Sequence, residues 1–140
     1  MKTGTRTIRF AGVPVEARKT IKADIRKNLN GEEFLVCSDS QADARARRYI
    51  RDSLWAFRPE FIASHARVDL DDGAVKALAE SQGKLCEGAN ELVFALIKSF
   101  KRFWREAVSA DGRGHFLNTY DGNEHEVKVG DSFFYVYRVN

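Results

Sequence analysis

Cysteine, proline and long apolar runs are all scarce in this 140-residue chain, which has two cysteines, two prolines and one methionine. Cys37 and Cys86 stand far apart without a C-x-x-C partner. That excludes a disulfide framework and leads us to expect a reduced, cytoplasmic protein. With Pro14 and Pro59 as the only prolines, there is no proline-rich linker, and no shift in composition marks a boundary. A single domain over residues 1–140 is expected. No stretch approaches the roughly 20 apolar residues that cross a bilayer. The charges at Lys2, Arg6 and Arg9 are not followed by an apolar run of signal-peptide length, so neither membrane insertion nor secretion is expected. A large excess of one charge is also missing. A net charge of +3 is too small for indiscriminate coating of nucleic acid and fits a local anion site better.

Catalytic signatures are missing as well. The chain has no G-x-S-x-G, P-loop or G-x-G-x-x-G, and no Cys-His pair in a catalytic context, so an enzyme is not expected and no cofactor is implied. Asp69-Leu70-Asp71-Asp72-Gly73 superficially resembles a calcium loop. Its acidic spacing is wrong for an EF-hand, and Glu80 stands where the bidentate ligand would have to be; helix-starting chemistry accounts for it better. His115, Asp121, Glu124, His125 and Glu126 crowd one segment. Strand alternation would send Glu124 and Glu126 to one face and His125 to the other, so no metal centre is expected.

What is present reads as an α+β fold: antiparallel β-meanders at the N- and C-terminal ends with three helices between. The first third alternates like strands over residues 5–10, 13–21 and 33–37, with turns at Ala11-Gly12 and at Asn28-Leu29-Asn30-Gly31. Ser38-Asp39-Ser40-Gln41 matches a capping box and opens a helix over residues 38–57, which Pro59 closes. Residues 60–68 fit a short helix or a strand equally well. A helix over about residues 74–82 is followed by a stronger one over 91–108, which carries an aromatic-rich apolar arc and a basic stripe of Lys98, Lys101, Arg102 and Arg105. At the C-terminal end, residues 115–120 and 124–129 flank Asp121-Gly122-Asn123, a strong hairpin signal. After Gly130-Asp131, residues 132–139 form a last strand, whose unbroken apolar run calls for cover on both faces.

The helix over residues 38–57 carries the clearest functional signal. At about 100° per residue, Ala42, Ala46, Tyr49, Ile50, Leu54 and Phe57 share one arc, while Arg47, Arg48, Arg51 and Trp55 lie together opposite, with Arg58 following at a similar angle. An indole among guanidinium groups offers charge for a phosphate and a flat face for a base. The same arc also reads as a solvated face whose arginines pair with Asp43 and Asp52.

Three stretches carry a family resemblance. They are Arg18-Lys19-Thr20-Ile21-Lys22-Ala23-Asp24 running into Leu29-Asn30-Gly31-Glu32-Glu33-Phe34, then Ala46-Arg47-Arg48-Tyr49, and finally His115-Phe116 with Tyr120-Asp121-Gly122 through Tyr137-Arg138-Val139-Asn140. Together they resemble small accessory proteins of tailed bacteriophages, in particular the phage anti-Thoeris family. The resemblance covers both ends and leaves residues 59–112 unmatched. It implies a non-catalytic protein of the host-cell cytoplasm that sequesters a cyclic ADP-ribose immune signal, with pockets built at subunit contacts of a homodimer or higher oligomer. Phe116 and Arg138 are the positions it carries over, with Asn118 and Tyr120 as neighbours. The alternative is a phage protein that blocks a host defence protein or nucleic-acid enzyme by direct contact, with Trp55 and the arginines as anchors.

Overall fold

The computed structural model describes residues 6–140, and over them the chain is α+β, with helices and a four-stranded mixed sheet. The first strand, β1 (Thr7–Ala11), forms where alternation placed one; Thr5, which the sequence reading included in it, lies outside the described residues. The chain then turns at Gly12, whose φ of +70° suits a residue without a side chain.

The strand expected over residues 13–21 is instead a helix, α1 (Val15–Asn28). Its buried residues are Ala17, Ile21 and Ile25, spaced four apart along one helical face. Val15, which made the segment look alternating, is 74% exposed. Pro14 precedes the helix with φ −58° and ψ 146°. Glu16 in the first turn and Arg26 and Lys27 in the last complement the helix dipole. With a helix as the connection, β1 pairs with β2 (Glu33–Ser38) in parallel. The N-terminal end is therefore a β-α-β unit and not an antiparallel meander.

The sheet order is β1-β2-β4-β3. The C-terminal strands β3 (His125–Val129) and β4 (Ser132–Arg138) form the expected antiparallel hairpin across Gly130-Asp131. β4 also pairs antiparallel with β2, placing Phe34 opposite Arg138 and Val36 opposite Val136. Being interior explains the apolar runs of β2 and β4. Phe34, Val36, Phe134 and Val136 share one core with Ala17, Ile21 and Ile25 of α1, while Leu35, Cys37 and Tyr137 are also buried and alternate with them. Burial pushes the Cys37 thiol pKa up.

Within the described residues one compact unit holds the chain up to Ala46 together with Asp111–Asn140, and a second comprises Arg47–Ala110. The sheet belongs to the first. The second is helical, and more segmented than three helices. Helix α2 (Asp39–Asp52) starts where the capping box places it, with the Gln41 N–H donating to Ser38 Oγ at 3.3 Å. It stops short of Phe57, and a 3₁₀ turn over Leu54–Ala56 follows. Arg58 is extended, and Pro59 occupies the first turn of α3 (Pro59–Ser64), a position that needs no N–H. Helix α4 (Asp72–Leu85) is capped by Asp71, which accepts from the Ala74 N–H.

The helix expected over residues 91–108 is two, α5 (Asn90–Leu96) and α6 (Phe100–Asp111). At the break Ile97 is extended and bridges to Ala66. The Lys98 N–H donates to His65 O at 2.8 Å, and the Arg67 N–H to Leu96 O at 2.9 Å. This pairing satisfies backbone groups that helical continuation would otherwise have used. Phe103 of α6 packs edge-on to Phe57 at 5.0 Å and against Phe61 at 4.8 Å between ring centroids.

The strand expected over residues 115–120 is also a helix, α7 (Arg113–Leu117), and Asp121-Gly122 closes no hairpin. The side chain of Asn118 organises this segment instead. Its Oδ1 accepts from the N–H groups of Tyr120 and Asp121, each at 2.9 Å, and its Nδ2 donates to Asn123 O at 2.9 Å. Two glycines give opposite expectations from this packing. A Cβ at Gly114 would lie 2.4 Å from Gly122 O and 2.7 Å from the Asn123 carbonyl carbon, whereas one at Gly83, inside α4, would meet nothing within 4 Å. Gly114→Ala is expected to lower stability by about 1–3 kcal/mol. Gly83→Ala is expected to raise it by about 0.5–1 kcal/mol. Urea midpoints of the two variants check both signs.

Candidate ligand cleft

Arg47 and Arg48 lie exposed on α2, but the arc they were expected to share with Trp55 is broken. Trp55 is in the 3₁₀ turn beyond the helix, half-buried. Its N–H donates to Asn90 Oδ1 at 2.9 Å, and its carbonyl accepts from Gln82 Nε2 at 2.8 Å. No guanidinium stacks on its ring among the described residues. Arg51 is engaged inside its own unit, 2.6 Å from Glu91 and 3.9 Å above the Phe94 ring. Arg58 is exposed on the extended link before Pro59 and so leaves the helical arc. Tyr49, expected on the inner arc, is 50% exposed. The basic stripe on residues 98–105 is interrupted too, because Lys98 lies in the link before α6 while Lys101, Arg102 and Arg105 are exposed on that helix.

The C-terminal positions come together better. A cleft of about 490 Å³ in the first unit is lined by Asn118, Tyr120 and Arg138, together with Asn28 at the end of α1, Asn30 just after it, and His125 at the start of β3. Phe116 is not among its lining residues; it is buried in α7 at 7% exposure. Asn118 shapes the cleft wall through the loop bonds described above. Of the expected C-terminal positions, Tyr120 and Arg138 are the two whose side chains are left to meet a ligand. The guanidinium of Arg138 sits 3.4 Å from the centroid of the Tyr120 ring, a contact that fixes both groups, and Tyr120 remains 59% exposed.

Gly31 makes this placement of Arg138 sterically feasible. With φ +127° it turns before β2, and a Cβ there would lie 2.5 Å from Arg138 Nε. Arg138 Nε donates to Asn140 Oδ1 at 3.2 Å. Among the described residues no carboxylate forms an ion pair with Arg138.

Charges elsewhere around the cleft are matched, except that of Asp121, whose carboxylate lines it and joins no ion pair among the described residues. His125 Nε2 lies 2.6 Å from Asp24 Oδ1, which also accepts from Asn28 Nδ2 at 3.2 Å. Burial alone would raise the Asp24 pKa, but the bonds to His125 and Asn28 outweigh it and hold the carboxyl below its ordinary value. Glu124 accepts from Arg113 Nε at 2.9 Å and from the Tyr137 hydroxyl. Arg113 also donates to Asp39 Oδ1 at 2.9 Å and Asp43 Oδ1 at 3.1 Å, and it lies 4.4 Å from the Tyr135 ring centroid. Burial works to lower the pKa of this guanidinium, yet its bonds to Glu124 and Asp39 raise it. Asp121 Oδ1 accepts from the Asn123 N–H at 3.0 Å. The lining thus offers an unpaired guanidinium, an open aromatic face and several amides. Among the described residues no group of three or more His, Cys, Asp and Glu side chains is placed to hold a metal ion, and no helix is long and apolar enough to cross a membrane.

Sequence reasoning missed Asn28, Asn30 and the Asp24–His125 pair. The signal was the four-residue spacing of Asp24 and Asn28, which means proximity only once α1 is read as a helix.

Tyr137 yields a pH expectation. It is fully buried, and burial, then its bond to Glu124, raise its pKa above the ordinary 10.0. Above pH 10 the unfolded chain loses this phenolic proton while the folded chain keeps it. Stability therefore falls as pH rises past 10, with this group contributing about 1.4 kcal/mol per pH unit. In Tyr137→Phe the alkaline fall is expected to be shallower by that amount. Urea unfolding at stepped pH checks it, and an unchanged slope would refute the assignment.

No protein-family model matches the chain, and no curated protein or solved structure is significantly similar to it.

Proposed function

We propose that this protein binds a small anionic nucleotide in the Tyr120–Arg138 cleft and holds it without turnover, sequestering a cyclic nucleotide immune signal in a phage-infected cell. A cyclic ADP-ribose isomer is the first ligand to test. The observation that carries the reading is the Arg138 guanidinium stacked 3.4 Å from the Tyr120 ring within a cleft of about 490 Å³. Arg138 can meet a phosphate with a charge-assisted bond. The open face of Tyr120 can stack on a base, and Asn28, Asn30 and Asp121 supply donors and acceptors for ribose hydroxyls.

Beside the cleft the titratable groups position one another: His125 is held by Asp24, and Glu124 by Arg113 and Tyr137. Recovery of the ligand intact is the test of binding without turnover. The proposal moves the centre of the site from α2 to β4 and the loop after α7.

The test is calorimetric titration of cyclic ADP-ribose isomers into the wild type, Tyr120→Ala, Arg138→Gln and the pair Arg47→Ala/Arg48→Ala. Each cleft substitution is expected to weaken binding by about ten-fold or more, the α2 pair to leave it unchanged, and the ligand to be recovered intact. Absence of binding in the wild type, or a loss confined to the α2 pair, would overturn this assignment.

A further inference from the structure

A second surface, built from α1 and β1, carries charge that the cleft does not use. Arg6, Arg9, Arg18, Lys19, Lys22, Arg26 and Lys27 lie between residues 6 and 29, against only Glu16 and Asp24. Beyond residue 29 acidic side chains outnumber basic ones. The modest net charge of +3 therefore conceals a strongly basic face on an otherwise slightly acidic protein. Asp24, moreover, is engaged by His125. None of the seven cations takes part in an ion pair among the described residues.

The fold gathers five of these charges, Arg6, Arg18, Lys19, Lys22 and Arg26, on one flank; Arg9 alternates with Ile8 and Phe10 to the opposite face of the sheet, and Lys27 lies on the other flank of α1, near Asp24. β1 is an edge strand, and α1 covers the sheet with Ala17, Ile21 and Ile25 facing the core. Arg18, Lys22 and Arg26 recur every fourth residue on the flank over the β1 edge, about 6 Å apart along the helix axis. Arg18 lies 4.9 Å and Lys22 5.9 Å from the Phe10 ring of β1. Two adjoining shallow grooves follow this flank. One, of about 520 Å³, is lined by Arg6, Ile8, Lys22 and Arg26; the other, of about 490 Å³, includes Arg18 and Lys19.

We propose that this α1–β1 face binds the phosphate backbone of a nucleic acid. A row of unpaired cations along one groove matches a polymer whose charges recur along its length, and such binding needs no base readout. The composition argues against an acidic protein as partner, because protein interfaces are depleted of charge at their centre and rely on buried aromatic anchors. On this face the one large apolar group that is widely exposed is Val15, at 74%. The site is independent of the cleft, since Arg138 and Tyr120 line neither groove.

The experiment is fluorescence anisotropy of the full chain with labelled single-stranded DNA, single-stranded RNA and duplex DNA across 50–300 mM salt. The wild type is compared with Lys19→Ala/Lys22→Ala/Arg26→Ala and with a control, Lys101→Ala/Arg102→Ala/Arg105→Ala on α6. All six positions are exposed, and circular dichroism verifies that the variants fold. The wild type is expected to bind at least one oligonucleotide with affinity falling steeply as salt rises. The α1 variant is expected to lose at least ten-fold in affinity and about two to three units of the log–log salt slope, with the control unchanged. The three probes distinguish which nucleic acid supplies the phosphates. Failure of all three to bind at 50 mM salt overturns the proposal. So does an α1 variant that binds like the wild type, or binding of poly-glutamate in place of the oligonucleotides.

Discussion

Arg113 is the tie on which the sheet-bearing unit depends. That unit is discontinuous: the chain leaves it after Ala46 and returns at Asp111. Two residues after the return, Arg113 donates to Asp39 and Asp43 on the outgoing helix and to Glu124 before β3, and it stacks on Tyr135 of β4. Its side chain is 11% exposed. Because the guanidinium has five N–H groups in a fixed plane, one residue can satisfy carboxylates from several directions while keeping its charge. Closing a long intervening loop costs entropy that grows only slowly with length, so a few well-placed polar contacts beside the sheet suffice to hold the two ends.

The same tie prepares the cleft. Glu124 lines it, and an unpaired carboxylate there would repel an anionic ligand. Arg113 and Tyr137 take up that carboxylate from behind, as His125 takes up Asp24. What remains is Arg138, held by its stack on Tyr120 and by the space that Gly31 leaves, together with Asp121, whose carboxylate lines the cleft without an ion pair among the described residues. The electrostatic character of the cleft thus follows from which charges the fold has already paired, more than from how many line it. The α1–β1 face shows the converse, with cations that the fold gathers and leaves unpaired.

Much of the architecture was legible where local chemistry is strong. The Ser38 cap, a helix start within Asp69–Gly73, the Gly130-Asp131 turn and the apolar run of β4 all appear where the sequence placed them, because each rests on neighbours within a few residues. The errors have a common origin. In residues 13–28, Val13 and Val15 imitate alternation, and only burial shows that Ala17, Ile21 and Ile25 set the period. In residues 91–108 a continuous helical pattern is cut at Ile97 by backbone pairing with residues 65–67, which lie some thirty positions earlier. In residues 115–123 the Asp-Gly signal is overridden by the side chain of Asn118.

For the candidate site the division is similar. The sequence by itself determined that the chain is α+β and that its charge is nearly balanced, since composition and local pattern carry that information, whereas Tyr120, Asn118 and Arg138 are singled out only by a family resemblance. Only the tertiary structure decided that Trp55 and Arg51 are engaged within a helical unit, that Phe116 is core, and that Asn28 and His125 share a cleft with Arg138. Those outcomes depend on strand register and helix packing, which bring together residues more than 100 positions apart, such as Asp24 and His125 at a separation of 101. A local period cannot encode contacts of that range, because which distant groups meet is set by how the whole core is packed.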